Sequence, residues 1–408
     1  MKSSIDDLAI FGGLPAFDQK LHVGRPNIGD RRRLLERIND SLDGKWLTND
    51  GPHLQEFERR IAERVGAKHC IATCNATVAL EIAIKAAGLA GEVIVPSFTF
   101  IATANALQWQ GITPVFCDVD RRTHNVDPRQ VAQMITPRIT GIIGVHLWGR
   151  PCDVESLAEI ARYHNLKLLF DAAHGFGCSH KGLMIGNFGH AEVFSFHATK
   201  VCNAFEGGAV ATNDHELAAK VRVMRDHGYA GYDEVAYVGT NGKMSEVSAA
   251  MGLTSLESLE EFIAVNYRNY QQYREQLSDI PGVSVNTYDE TERCNFQYVV
   301  LEVDEPVTRV SRDQLQDLLW AENVLARRYF YPGCHRTQPY TSRFPRAGLR
   351  LPNTESLAAQ VLTLPTGTAI GSDEIRRICQ IIRLSIACGQ EIQERVRCSP
   401  PRESGVER

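Results

Sequence analysis

The chain has 408 residues, 43% hydrophobic and 23% charged, a composition typical of a globular enzyme with one large and one smaller domain. A formal net charge of -5 argues against general polyanion binding but leaves room for a local basic pocket that holds phosphate groups. No apolar run approaches the roughly 20 residues that span a bilayer, and Met1–Asp7 lacks an apolar signal core, so we expect a cytoplasmic protein.

Helical and strand patterns alternate over the first half of the chain. Residues 1–25 are expected to form an N-terminal arm, and the spacing of apolar residues predicts helix within about 30–65. Helices are also predicted over 77–87 and 154–164. The predicted strands are His69–Thr73, Glu92–Val95, Thr113–Asp118, Ile139–His146, Leu166–Asp171, Ala191–Phe196 and Gly208–Thr212. Nearly continuous apolar strands that alternate with helices predict an α/β fold with a mainly parallel seven-stranded sheet, covered on both faces.

The second half begins with a long helical region, about 244–277, with a bend. A small C-terminal α+β domain is expected to follow, with strands at 283–286, 297–303 and 323–331 and helices at 312–322 and 373–387. We therefore expect a large domain over 26–255, a small domain over 256–390 and a disordered tail over 391–408. The 11 cysteines are scattered without a C-x-x-C pair, which predicts reduced core thiols.

Two strand ends carry residues with distinctive chemistry. Lys200 lies in the turn after an apolar strand, just before Gly207 and Gly208, and Asp171 ends another apolar strand. Ligands of α/β proteins bind at such strand ends. An amine that forms an imine and a carboxylate that pairs with a pyridine nitrogen are what a pyridoxal phosphate enzyme needs. Alone, Lys200 would be interpreted as a surface lysine and Asp171 as a helix cap, but their combination favours the catalytic pair.

A phosphate site is predicted where a strand meets a helix at Cys74–Leu80. The N–H groups of Ala76 and Thr77 open that helix and favour an anion, with Ser195 as a further donor, although a plain helix cap remains the alternative. Phe100, in preference to Phe98, is the candidate to stack on a cofactor ring. His174 is placed to hydrogen-bond the cofactor ring or its phenolic oxygen, and the spacing of nearby histidines fits no zinc pattern, so no metal is expected.

These segments occur together in an order that resembles the sugar aminotransferases of the DegT/DnrJ/EryC1/StrS family, which are fold-type-I pyridoxal phosphate enzymes. The likeness covers roughly residues 20–385. It rests on Gly44–Pro52, Pro96–Phe100, Asp171–His174, Ser195–Gly208, Arg225–Gly228 and Asn241–Glu246.

The resemblance implies roles for individual residues. Lys200 would be the lysine that links covalently to the cofactor, Asp171 the partner of the ring nitrogen, and Ala76, Thr77 and Ser195 the phosphate ligands. Asn241 would reach the phosphate of a neighbouring subunit, which implies a homodimer with shared active sites. Two segments depart from the common family pattern, since Asn75-Ala76-Thr77 stands where Ser-Gly-Thr is frequent, and Asn241–Met244 contains Lys243 where arginine is common.

The sequence around Lys200 is similar to members that act on 4-keto-6-deoxyhexoses, most closely those that make nucleotide-linked 4-amino-4,6-dideoxyglucose. The resemblance thus implies a dTDP-linked 4-keto sugar as substrate and L-glutamate as amino donor. Five further residues are predicted substrate contacts: His197, His335, Arg25, Trp46 and Lys243.

Other functions stay open at this point. A 3-keto sugar or inosose aminotransferase of the same family, or a non-catalytic regulatory homologue, would share most of these segments. Family dehydratases carry histidine in place of Lys200, which argues against a dehydratase. A dinucleotide dehydrogenase is disfavoured because no G-x-G-x-x-G follows the first strand.

Overall fold

A computed structural model describes residues 2–397, and a seven-stranded sheet organises the first half of the chain. The strands in these residues are β1 Leu21–His22, β2 His69–Thr73, β3 Glu92–Pro96, β4 Thr113–Cys117, β5 Ile139–Val145, β6 Lys167–Asp171, β7 Ser179–His180, β8 Leu183–Met184, β9 Ala191–Ser195, β10 Gly208–Thr212, β11 Val283–Val285, β12 Val299–Val303, β13 Val324–Leu325 and β14 Val361–Leu364. The large sheet has the order β2-β10-β9-β6-β5-β3-β4, and only β10 runs antiparallel to its neighbours. The predicted mainly parallel seven-stranded sheet is confirmed.

Helices fill the connections between strands. They are α1 Arg31–Asp43, α2 Pro52–Val65, α3 Ala76–Ala86, α4 Ala102–Gln108, α5 Pro128–Gln133, α6 Val154–Tyr163, α7 His215–Arg225, α8 Glu246–Glu257, α9 Leu259–Leu277, α10 Glu305–Thr308, α11 Arg312–Ala321, α12 Tyr340–Arg343, α13 Pro352–Gln360, α14 Ser372–Ala387 and α15 Gly389–Arg397. Several begin at a residue whose side chain accepts a backbone N–H of the first turn, as Asn75 does for α3 and Asp214 for α7. The predicted bend in the long helical region lies at Ser258, between α8 and α9.

Both faces of the large sheet are buried, because successive residues of its strands pack on opposite sides. Val93 and Val95 of β3 lie in one apolar cluster with α3, α4 and α7, whereas Ile94 packs with α5 and α6. Side chains of a sheet covered on both faces reach solvent mainly at the strand ends. The carboxyl end of this sheet is therefore where a ligand would be expected.

The second half of the chain contains an antiparallel sheet of order β11-β12-β14. The strand predicted over residues 323–331 is mostly wrong, because only Val324–Leu325 forms one. The chain turns soon afterwards, where Tyr331 N donates to Arg328 O (3.0 Å) and Gly333 N donates to Phe330 O (2.7 Å). This turn carries residues 329–333 back towards the ends of the large sheet. Helix α13 and strand β14 were not predicted.

The N-terminal segment is tied to the second half of the chain. β1 pairs in parallel with β13, and the buried carboxylate of Glu322 accepts the backbone N–H groups of Ala9 (2.7 Å) and Ala16 (2.6 Å). Lys2 forms an ion pair with the same carboxylate. The N-terminal segment thus covers Glu322 and supplies its hydrogen-bond and ion-pair partners.

The predicted disordered tail is wrong for its first residues. Gly389–Arg397 forms helix α15, in which Ile392 is fully buried and Arg395 pairs with Asp6 of the N-terminal segment. The remainder of that predicted tail lies outside the described residues. Within residues 2–397 all ten cysteines are free thiols, no group of three or more His, Cys, Asp and Glu is arranged to hold a metal, and no helix is long and apolar enough to cross a membrane.

Candidate active site

Lys200 lies in the turn that follows β9, at the carboxyl end of the large sheet. Its backbone N–H donates to His197 O (2.9 Å), and its partly buried amine is 3.2 Å from the hydroxyl of Tyr298. Burial lowers the pKa of Lys200 to about 8, against the opposing influence of Tyr329 and Asp171. The neutral, nucleophilic amine is therefore more populated near neutral pH than it is for a solvated lysine.

Asp171 is the last residue of β6, which pairs directly with β9. Its buried carboxylate accepts the hydroxyl of Thr103 on Oδ2 (2.8 Å) and the backbone N–H of Ala173 on Oδ1 (3.1 Å). Burial raises the pKa of Asp171, whereas these two hydrogen bonds and the charge of Lys200 oppose that rise. A carboxylate held in this way suits a cationic ring nitrogen.

His174 is held by the protein through both ring nitrogens. Trp148 N donates to Nδ1 (3.2 Å), and Nε2 lies 3.0 Å from the Tyr298 hydroxyl. Burial lowers the pKa of His174 well below its ordinary value, so the ring is neutral. The hydrogen bond predicted from His174 to the cofactor is therefore not available in this conformation, because no ring nitrogen is left to make it.

The start of α3 forms a small anion cradle. Asn75 Oδ1 accepts Val78 N (2.9 Å), which leaves the N–H groups of Ala76 and Thr77 at the open helix end. Gly208 lies opposite, where a Cβ would come within 2.5 Å of Ala76 N, and it pairs in register with Ser195. Glycine at 208 thus allows β10 to pack closely against the start of the helix, which brings Ser195 near the N–H groups of Ala76 and Thr77.

Phe100 and Phe98 have opposite environments. Phe98 is fully buried and packs edge-on against His124, Trp148 and Phe330, whereas Phe100 is 58% exposed. The carbonyl of Phe100 accepts Thr103 N in the turn that leads into α4, whose Thr103 holds Asp171. Of these two phenylalanines, Phe100 is thus the one exposed to solvent, and its contact with a cofactor ring stays a prediction.

A model of the DegT/DnrJ/EryC1/StrS aminotransferase family matches residues 29–383. The chain belongs to this family. Its enzymes use pyridoxal 5'-phosphate, and the donor set just described fits that cofactor: an amine for the aldehyde, a carboxylate for the ring nitrogen and an open helix end for the phosphate. The fold predicted from the resemblance is confirmed.

Individual relatives are sugar-nucleotide enzymes. The aminotransferase is 36% identical to the dTDP-4-amino-4,6-dideoxy-D-glucose transaminase of Shigella dysenteriae, over 90% of this chain and 99% of that protein. It is 34% identical to the GDP-perosamine synthase of Caulobacter vibrioides, over 88% of this chain and 96% of that protein. Among solved structures, DesI in the presence of its TDP-sugar product is 52% identical, covers 97% of this chain and 100% of its own, and has a TM-score of 0.92.

Two of the predicted substrate contacts lie close to the lysine turn. His197 bonds Thr199 Oγ1 through Nδ1 (2.8 Å), and its Nε2 is 3.5 Å from Glu206. Gly24 packs against Thr199, which brings the exposed Arg25 to the same side of the turn. Both residues therefore lie beside the turn that carries Lys200.

The remaining predicted site residues are Trp46, Asn241 and Lys243, of which the last two lie in the segment that contacts the strand end before α3. Gly242 O accepts Cys74 N (2.8 Å), so the 241–243 segment lies against the strand end that leads into α3. Asn241 is exposed, and the Lys243 amine forms an ion pair with Asp226. Trp46 is 50% exposed, and its indole Nε1 donates to Asn49 O (3.3 Å). None of the three contacts Lys200 within the described chain.

The prediction that His335 contacts substrate is contradicted by its surroundings. The ring is 2% exposed, with Nδ1 at 2.7 Å from Ser97 Oγ and Nε2 at 2.7 Å from Glu355 Oε1. Both nitrogens therefore join parts of the fold. His335 fastens the 330–336 turn to the end of β3.

Four residues important to the site were not predicted from the sequence: Thr103, Trp148, Tyr298 and Tyr329. Each lies more than 25 residues along the chain from at least one member of the Asp171–Lys200 pair, so only the fold brings them together. Thr103 follows the Pro96–Phe100 segment, so its position after that strand end was the one available signal. Tyr298 and Tyr329 come from the second half of the chain and carry no local pattern that indicates a site.

Proposed function

We propose that this aminotransferase converts a dTDP-linked 4-keto-6-deoxyhexose to the corresponding 4-amino-4,6-dideoxyhexose, with L-glutamate as the amino donor. The proposal is carried by one observation: a lysine whose pKa is lowered by burial lies with a buried carboxylate at the carboxyl end of the sheet. The relatives support the substrate class, because the Shigella enzyme, at 36% identity, is named for dTDP-4-amino-4,6-dideoxy-D-glucose, and DesI, at 52% identity, was solved with its TDP-sugar product.

The overall exchange is balanced without an external oxidant. Glutamate gives its amino group and becomes the 2-keto acid, and the sugar carbonyl oxygen is replaced by that amino group. Pyridoxal phosphate supplies the aldehyde that carries the amine and the ring that accepts electrons.

The chain's own residues then hold and move protons. Lys200 Nζ, with its pKa near 8, accepts a proton from carbon and returns it to carbon. Asp171, fixed by Thr103 and Ala173, holds positive charge on the ring nitrogen. The N–H groups at the start of α3 hold the phosphate, and so set the distance between the ring and Lys200.

A substrate panel tests this proposal. Purified protein with pyridoxal phosphate and L-glutamate is offered dTDP-4-keto-6-deoxyglucose, its 3-keto isomer, a GDP-4-keto-6-deoxy sugar and an inosose, and products are identified by mass and NMR. We expect amination of the dTDP-4-keto sugar and none with Lys200→Ala. Turnover of the 3-keto sugar or the inosose alone would contradict the position of amination, and turnover of the GDP sugar alone would contradict the base.

We also propose that the protein acts in the cytoplasm as a homodimer with shared sites. Residues 229–238 form a protruding segment with exposed apolar side chains, among them Tyr232 and Val238, and Asn241 follows it. Exposed apolar surface of this kind favours a protein interface. Mixing Lys200→Ala with Asn241→Ala subunits should restore activity if each site takes residues from both chains, and a sedimentation measurement should give a dimer. Inactivity of the mixed dimer would contradict shared sites.

A further inference from the structure

The hydroxyl of Tyr298 lies between the amine of Lys200 and the ring of His174. Tyr298 is buried near the start of β12, with its hydroxyl 3.2 Å from Lys200 Nζ and 3.0 Å from His174 Nε2. The ring is fixed by edge-on packing against Trp148 and by its own backbone carbonyl, which accepts the hydroxyl of Tyr288 (2.9 Å). The hydroxyl therefore has two polar neighbours and little freedom to move.

The direction of the hydrogen bond between His174 and Tyr298 follows from one backbone group. Trp148 N–H can only donate, so His174 Nδ1 is the acceptor, and the proton of the neutral imidazole lies on Nε2. That Nε2–H donates to the tyrosine oxygen. The tyrosine O–H hydrogen is consequently free to point at its other neighbour, Lys200 Nζ, which accepts it only as the neutral amine.

We propose that Tyr298 is a positioning residue that donates its O–H to Lys200 Nζ, and so favours the free base and aims it while Lys200 is not covalently linked. In the series Trp148, His174, Tyr298, Lys200, each residue then donates a hydrogen bond to the next. This inference rests on the proposed function in one respect: there, the neutral amine of Lys200 accepts a proton from carbon.

Charged and titratable groups around Lys200 come from four elements. Asp171 ends β6 and favours the ammonium form, as does Tyr329 of the 326–333 segment, whereas His174 and Tyr298 are neutral. Arg327 acts on the Tyr298 and Tyr329 hydroxyls from the solvent side. Burial is what opposes Asp171 and Tyr329, and the Tyr298 hydroxyl is the neutral group within hydrogen-bonding distance of the amine.

The test uses full-length protein freed of cofactor, so that it is independent of transamination. Competitive labelling with acetic anhydride across pH of about 6 to 10.5, read by peptide mass spectrometry, gives the midpoint at which Lys200 becomes reactive. We expect a midpoint near 8 in the native chain and a rise of about 0.5 to 1 pH unit in Tyr298→Phe. An unchanged or lower midpoint in the folded variant would overturn the proposal.

Tyr273→Phe is the matched control, because its hydroxyl is also buried but donates to Pro365 O (3.0 Å), far along the chain from the Lys200 turn. It should leave the Lys200 midpoint unchanged, and an equal rise would show that loss of any buried hydroxyl changes the midpoint, which would overturn the assignment.

If Tyr298→Phe does not fold, 3-fluorotyrosine at position 298 keeps the shape of the side chain, and its hydroxyl is a stronger hydrogen-bond donor. It should lower the midpoint, and a rise would overturn the proposal. A chain that shows these shifts but fails the substrate panel would contradict only the proposed function.

Discussion

Removing the hydroxyl of Thr103 should move the pH dependence of the enzyme in a direction that the structure specifies. Thr103→Val keeps the buried shape but deletes the donor to Asp171 Oδ2, one of the carboxylate's two hydrogen bonds from the protein. A hydrogen bond to a charged group contributes about 1.5–3 kcal/mol, which corresponds to a rise in the pKa of Asp171 of about 1–2. Burial already raises that pKa, so the two effects act in the same direction.

The direction of the change in activity follows because the ionised carboxylate of Asp171 is the form that holds a ring cation. The carboxylate is ionised only above its pKa, so the acid limb of the pH–rate profile should move about 1–2 pH units higher, and activity should approach that of the native chain at alkaline pH. The assay is the single-turnover rate with L-glutamate as a function of pH. Thr103→Ser restores the hydroxyl and should restore the native profile. An acid limb that stays in place in folded Thr103→Val would refute the reasoning.

Three other predictions test the cradle, the lysine and a helix start. Gly208→Ala should weaken binding of pyridoxal phosphate roughly tenfold or more, because its Cβ meets the N–H that opens α3; absorbance titration checks this, with exposed Gly231→Ala as control. Cofactor capture by Lys200 should speed up with pH to about 8 and then level off, and a stopped-flow midpoint near 10 would contradict the lowered pKa. Glu246→Gln should lower the free energy of unfolding by about 1–3 kcal/mol, because the carboxylate accepts two N–H groups at the start of α2; urea unfolding measures it, and exposed Glu261→Gln should cause no comparable loss.

The elements that position the site were predictable because their patterns are local. A strand buried on both faces appears as an unbroken apolar run, which is why the strands ending at Asp171 and Ser195 were located to within a residue. The helix that opens at Ala76 was equally clear, since Asn75 is a strong capping residue directly after a strand. These local patterns place Lys200, Asp171 and the start of α3 at the carboxyl end of the sheet.

The parts that sequence patterns missed depend on long-range contacts. His335 was predicted to contact substrate, yet Ser97 and Glu355 take both of its nitrogens. The segment after Leu325 was predicted to continue as a strand from its apolar and aromatic content. Its aromatic residues instead pack against Trp148, a contact between segments about 180 residues apart.

Burial acts on both members of the catalytic pair, and this explains why residues behind them matter. The desolvation that lowers the pKa of Lys200 towards a useful free base also raises the pKa of Asp171 towards a neutral acid that could not hold a ring cation. Each residue therefore needs its own hydrogen-bond partners to stay in the right state. Thr103 and Ala173 donate to the carboxylate and keep it anionic, whereas Tyr298 faces the amine. Without Thr103 the pKa of Asp171 would rise further, so the hydroxyl behind the carboxylate helps to separate the protonation states of the two residues.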